Sequence, residues 1–201
     1  MPDQDNRRNP FDVFNTSRVS YTNSKEIHEL SVVKIRRQHK CHCALPYVED
    51  FQKVYLDYSN YTQQKVWEII GGNVGNYYGI NGPDGLQNSC AARISYGLNK
   101  SGKLIPEHPH ADMNFSKKER YIVSAQRMNQ YFKKIAGKPD YIVKTIDDFE
   151  KLKSSLDRTL GFIISDSFHI GFVSHSYQKE SFHGNSPADI WFLPSIHCNC
   201  G

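Results

Sequence analysis

Tyr47, Phe51, Val54, Tyr55 and Tyr58 recur at three- and four-residue intervals, which predicts an amphipathic helix over residues 47–58. A second, shorter helix is predicted over 63–70, stopped by Gly71-Gly72. The chain then reads GGNVGNYYGINGPDGLQNS over 71–89, and its glycines and asparagines favour a loop over any regular element. Ala91, Ile94 and Leu98 restore the helical interval before Gly102. Residues 108–118 are polar and read as loop. A further amphipathic helix is predicted over 121–135, with Ile122, Met128, Tyr131 and Phe132 inward and Gly137-Lys138-Pro139 as its stop.

Beyond this point the pattern turns β-prone. YIVKTI (141–146), GFIIS (161–165), FHIGFV (168–173) and DIWFL (189–193) read as strands, with a helix over 147–156. Helices first and strands last predict an α+β fold with N-terminal helices packed on a small antiparallel sheet. Residues 1–45 are rich in Asn, Asp, Arg and Ser, with one β-prone run at 30–35. They read as a partly disordered N-terminal extension ahead of a domain over 46–201.

Composition narrows this picture. With 201 residues, 38% apolar and 12% aromatic, the chain suits one domain with a small core. The net charge of +4 is spread among acids and forms no nucleic-acid stripe. No stretch approaches the roughly 18 apolar residues of a membrane span. The opening MPDQDNRRNPFDVFNTS has no apolar segment of the kind a secretory signal needs. The chain is expected to be cytoplasmic or to leave the cell without a cleavable signal.

The candidate chemistry centres on Cys90. It stands at the predicted junction of loop and helix, with Asn88 or Ser89 as N-cap. Unpaired N–H groups and the macrodipole of a helix's first turn favour negative charge, hence the thiolate that attacks carbonyls. The same N–H groups can hold an oxyanion. The competing reading is a small buried residue that starts a packed helix. A cysteine nucleophile needs a base. In FHIGFV the alternation puts Phe168, Ile170 and Phe172 on a core face and His169 on the other, where Gly171 leaves room for another chain or a substrate. An ordinary surface histidine fits the spacing equally well. A third group should orient the imidazole. The return after 174–179 offers His183 first and Glu180 second; His175 reads as a turn residue, and Asp189 as the start of a strand.

The stretch IIGGNVGNYYGINGPDGLQNSCAARISYGLNKSGKLIP, residues 69–106, resembles the nucleophile region of the type VI secretion amidase effectors, fourth group. The shared features are Gly71-Gly72-Asn73-Val74-Gly75, Gln87-Asn88, Cys90, Arg93, Ser95, Leu98 and Asn99. YFKKIAGKPDYIV (131–143) and GFII resemble later segments of that family, and the similarity runs over about 46–196. In that family a longer connection precedes the histidine, a glycine stands where this chain has Phe168, and an aspartate follows about eleven residues later. By distance the counterpart of that aspartate is Glu180. By pattern, HIGFV…SFHG is similar to the general NlpC/P60 hairpin, whose third member is often a histidine, hence His183.

The resemblance implies a papain-like, NlpC/P60-like fold and a cysteine amidase cutting the peptidoglycan stem peptide, typically between D-glutamate and the diamino acid. It further implies delivery into the periplasm of rival bacteria and a cognate immunity protein. Cys90 and His169 carry over as nucleophile and base. The N–H of Cys90, with Gln87 or Asn88, is expected to face the oxyanion. Arg93, one turn on, either meets a stem carboxylate or pairs within the fold. No cofactor, metal or nucleic acid is called for.

Cys41-His42-Cys43 and His197-Cys198-Asn199-Cys200 admit three readings. Disulfides between the ends, suited to an oxidising periplasm, come first; free thiols come second. Zinc comes third, because C-x-C is closer than the usual structural spacing. The rival functions are an NlpC/P60-like hydrolase of the cell's own wall or of phage lysis, and a non-catalytic metal-binding module.

Overall fold

The computed structural model describes residues 41–180, 182, 184 and 186–199. The run at 30–35, His183 and Cys200 lie outside these residues.

Helix α1, Val48–Val54, is shorter than its periodicity. Tyr55 closes the last turn by donating to the Phe51 carbonyl, and the backbone is then extended. Asp57 explains the stop: its Oδ1 accepts the N–H groups of Ser59 and Asn60 at 2.7 and 3.0 Å, a local turn that competes with helix. Helix α2, Gln63–Ile70, is capped by Thr62, whose side chain accepts the Lys65 N–H.

The glycine-rich stretch contains a helix that the sequence pattern did not predict, α3, Gly72–Tyr78. Gly71, at φ +56°, ends α2 and redirects the chain, and its carbonyl accepts the Gly75 N–H to begin α3. Tertiary contacts offset the poor propensity. Val74 is buried, Tyr78 stacks on Trp67 at 5.4 Å, and the Asn73 amide bonds the backbone of Met113 and Phe115.

Helix α4, Cys90–Lys100, is the central element. Beside it lies a hairpin where loop was expected: β1, Asp112–Asn114, pairs antiparallel with β2, Glu119–Tyr121. Its three-residue strands are too short to show alternation, and α4 holds them. Ser95 Oγ bonds both N–H and C=O of Ile122 at 2.9 Å, and Asn99 donates to the Arg120 carbonyl. Tyr121 therefore belongs to β2, and α5, Ala125–Ile135, starts after the Ser124 cap.

The second sheet orders its strands β3-β6-β4-β5, all antiparallel. They are β3, Tyr141–Val143; β4, Gly161–Ser165; β5, Ile170–Ser174; and β6, Ala188–Phe192. Helix α6, Ile146–Ser154, follows β3. Helix α4 packs on the edge strand β5 and α1 packs on α4. One core joins Phe51, Cys90, Ile94, Leu98, Ile163, Phe172 and Trp191. The architecture is α+β, with helices against a small antiparallel sheet.

FHIGFV departs from its predicted alternation. The strand begins at Ile170, and Phe168, expected in the core, is 79% exposed. Asp166 Oδ1 accepts the N–H groups of both Phe168 and His169 at 2.7 Å, so these residues form a turn ahead of the strand.

Cys41 and Cys198 form a disulfide, with Cα atoms 5.9 Å apart, and Cys43 is also disulfide-bonded. Those thiolates are unavailable to zinc. His42 bonds Asp140 at 2.8 Å, and His42 and Leu45 are buried, so residues 41–45 pack with the domain. Among the described residues no helix is long and apolar enough to cross a membrane.

Candidate active site

The start of α4 is fixed from three sides. The Gln87 carbonyl accepts Gln63 Nε2 and Trp67 Nε1, both at 2.7 Å, and the Gln87 N–H donates to the Tyr78 carbonyl. Asn88 Oδ1 accepts the Cys90 N–H at 3.0 Å. Ser89 stands at the N-cap position, but its hydroxyl accepts from Arg93 Nε instead of capping. Among the described residues Cys90 is the free cysteine, 3% exposed.

His169 meets this thiol from the opposite wall. The β4–β5 turn clamps its backbone through Asp166, and the ladder pairing Ser165 with Ile170 sets the turn's base. Its Nε2 lies 2.7 Å from Glu180 Oε1, on a carboxylate that is 4% exposed. That bond leaves Nδ1 as the nitrogen for the thiol. Burial works against charge on His169. Hydrogen bonds to Cys90 and Glu180, with the Glu180 charge, outweigh it and push the imidazole up to about 10. One ring thus bridges a helix-start thiol and a buried carboxylate. This is the order of nucleophile, base and orienting group that acyl transfer needs.

Tyr58 closes the site on one side. Its ring lies 6.2 Å from the His169 ring, and the Arg93 guanidinium stacks 3.9 Å from its centroid. Burial, then the neighbouring Glu180 and Cys90, hold its phenol above the usual value, so it stays protonated.

The family model described as "Type VI secretion system (T6SS), amidase effector protein 4", Tae4, matches residues 86–183, which enclose Cys90, His169 and Glu180. The match spans just under half of this chain, whose sequence there is similar to the Tae4 family. The fold of the chain is similar to that of Tae4 from Salmonella Typhimurium in an effector–immunity complex with Tai4. Identity there is 28%, coverage is 74% of this chain and 99% of that one, and the TM-score is 0.55. Salmonella typhimurium Tae4 bound to Tai4 from Enterobacter cloacae matches at 25% identity over the same shares, with a TM-score of 0.56. Tae4 from Enterobacter cloacae alone, at 20% identity and a TM-score of 0.51 over 76% of this chain and 94% of that one, is alike in fold. No curated protein matches the chain in sequence.

Against this Tae4 framework the predicted residues divide. Cys90, His169 and Glu180 come together; His183 lies outside the described residues. Arg93 does not face a substrate. It is 1% exposed and donates to the carbonyls of Leu56 and Tyr61 as well as to Ser89. Gln87 Nε2 donates to the carbonyls of Asp84 and Gly85, so it serves its own turn. Asn88 is exposed and holds the Cys90 amide. Asp189 bonds Asn129 and Lys133, and His175 bonds the Leu156 carbonyl, so neither pairs with His169. Sequence reasoning missed Asp166 and Tyr58. The spacing D-x-x-H, typical of a side chain capping its own turn, was the signal for Asp166. Tyr58 had none, since it reads as one more member of a helical stripe.

Proposed function

We propose that this chain is a cysteine amidase of the NlpC/P60 type that cuts the peptidoglycan stem peptide between D-glutamate and diaminopimelate. The observation that carries the reading is the His169 imidazole, bonded to Cys90 on one side and to Glu180, 2.7 Å away, on the other. The Cys90 thiolate attacks the scissile carbonyl carbon and the oxyanion turns to the Cys90 N–H, exchanging it from Asn88. His169 Nδ1 gives its proton to the departing amine, leaving a thioester on Cys90. His169 then takes a proton from water, the hydroxide attacks the thioester, and the carboxylate product leaves with the thiolate restored. Glu180 keeps Nε2 protonated throughout, which presents Nδ1 to the chemistry.

The family supports a working place in the periplasm of target bacteria, reached through type VI secretion. The Salmonella relatives in complex with Tai4 support a cognate immunity protein for this chain. The test is mass spectrometry of purified sacculi digested with the protein. The expected products end in D-glutamate and begin with the free amine of diaminopimelate. Cys90→Ala and His169→Ala each cut the release rate by roughly 10³-fold or more. Intact sacculi after wild-type digestion, or wild-type rates from either variant, would overturn the assignment.

A further inference from the structure

Gly171 lies on β5, two residues beyond His169, which ends the turn ahead of that strand. The space a side chain would fill there is taken by Glu180. A Cβ built on Gly171 would overlap Oε2 and Cδ of Glu180 and come within 2.6 Å of its Cγ. The same carboxylate reaches His169 Nε2 at 2.7 Å with its other oxygen. The carboxyl group therefore fills the space beside bare backbone, and its position on the imidazole depends on that bareness.

We infer that Gly171 is a positioning residue of the active site, whose missing side chain seats the Glu180 carboxylate against His169. This rests on the reading of Glu180 as the orienting group. The three nearest atoms to the added Cβ all belong to the Glu180 side chain. A methyl group at Gly171 consequently meets that side chain first. The strand keeps its ladder with β4, the carboxylate gives way, and His169 loses the partner that orients it and holds its proton.

The experiment is a double-mutant cycle of Gly171→Ala and Glu180→Ala, read as kcat, KM, pH profile and melting temperature on soluble stem-peptide substrate. Gly171→Ala is expected to lower kcat about as far as Glu180→Ala does, roughly 10²-fold, with KM held. Its alkaline limb should fall from near 10 toward lower pH. In the Glu180→Ala background the methyl group has free room, so the double variant should match Glu180→Ala in both kcat and melting temperature. Should Gly171→Ala alone fail to fold, recovery of folding in the double variant carries the same meaning. The inference is overturned if Gly171→Ala keeps the wild-type rate and limb, or if it harms the Glu180→Ala protein as much as the wild type. Wild-type activity in Glu180→Ala itself would instead remove Glu180 from the mechanism.

Discussion

The proposed nucleophile, Cys90, and the proposed base, His169, are held in place by different means. Cys90 sits in a frame assembled close to it in sequence: Asn88 takes its N–H, Gln87 anchors to α2, and Arg93 within the same helix ties Ser89 to the backbone of Leu56 and Tyr61. His169 depends on a carboxylate eleven residues away and on a strand glycine that leaves it space. The thiol side is thus held by many bonds, the neutral ones each worth about 1 kcal/mol and those of the Arg93 guanidinium charge-assisted. The imidazole is oriented by a buried, charge-assisted contact with Glu180, where loss of a partner is far costlier. Substitutions at the base end should therefore damage catalysis sharply and lower stability as well, while leaving the frame around Cys90 in place.

The largest effect that separates the two ends is expected at Glu180. Glu180→Ala should lower kcat roughly 10²-fold, and Glu180→Gln should recover part of that because it still accepts the Nε2 proton. The pH dependence follows from His169, whose value is raised from 6.5 to about 10. A raised value means that the folded state favours the proton. The stability this pair contributes is complete below 6.5 and is lost as pH climbs through about 10. The active ion pair disappears over the same alkaline range. In Glu180→Gln the charge is gone, so the alkaline limb should move to lower pH. An unmoved limb would show that Glu180 does not set the state of His169.

The same contrast governs what could be read from the sequence. Periodicity found α2 and α4 at nearly their true bounds: Thr62 caps α2, and α4 carries its apolar stripe into the core. It failed where tertiary contacts dominate: α3 forms across glycines because Trp67 and Asn73 hold it, and β1 and β2 form because Ser95 and Asn99 pin them. The Arg93, Ser95, Leu98 and Asn99 pattern carries part of the resemblance beside Cys90. Its members are buried and bond or pack within the fold, so the pattern describes how α4 is seated. At the base end, alternation placed Phe168 in the core because nothing in it reveals an Asp166 turn. From the sequence Glu180 comes second to His183, because a carboxylate lying on Gly171 leaves no periodic trace.

A smaller effect on activity, though a large one on stability, is expected at the disulfide. Cys41 and Cys198 are 157 positions apart, and joining distant positions restricts the unfolded chain. Replacing both by serine should cost roughly 2–4 kcal/mol of unfolding free energy. The clamp lies by β3 and β6, where His42 meets Asp140, while His169 adjoins the opposite edge strand β5. Activity per folded molecule should therefore hold. Denaturant titration with parallel sacculus digestion checks both halves, and equal stability or a lost rate in fully folded protein would break the separation.

The smallest effect is expected at Asn88, which decides how the oxyanion is met. Its Oδ1 now accepts the Cys90 N–H, the amide best placed for developing negative charge. If the amide itself serves the oxyanion, Asn88 is a resting-state cap that must let go, and Asn88→Ala removes a competitor as well as a cap. The expected result is a rate within about threefold of wild type, with about 1 kcal/mol less stability. Were the Asn88 side chain instead a donor to the oxyanion, its removal would cost roughly 10²–10³ in kcat with little change in KM. Steady-state kinetics of Asn88→Ala therefore separates a cap from a catalytic donor, and a hundredfold loss would place part of the charge stabilisation outside the backbone of α4.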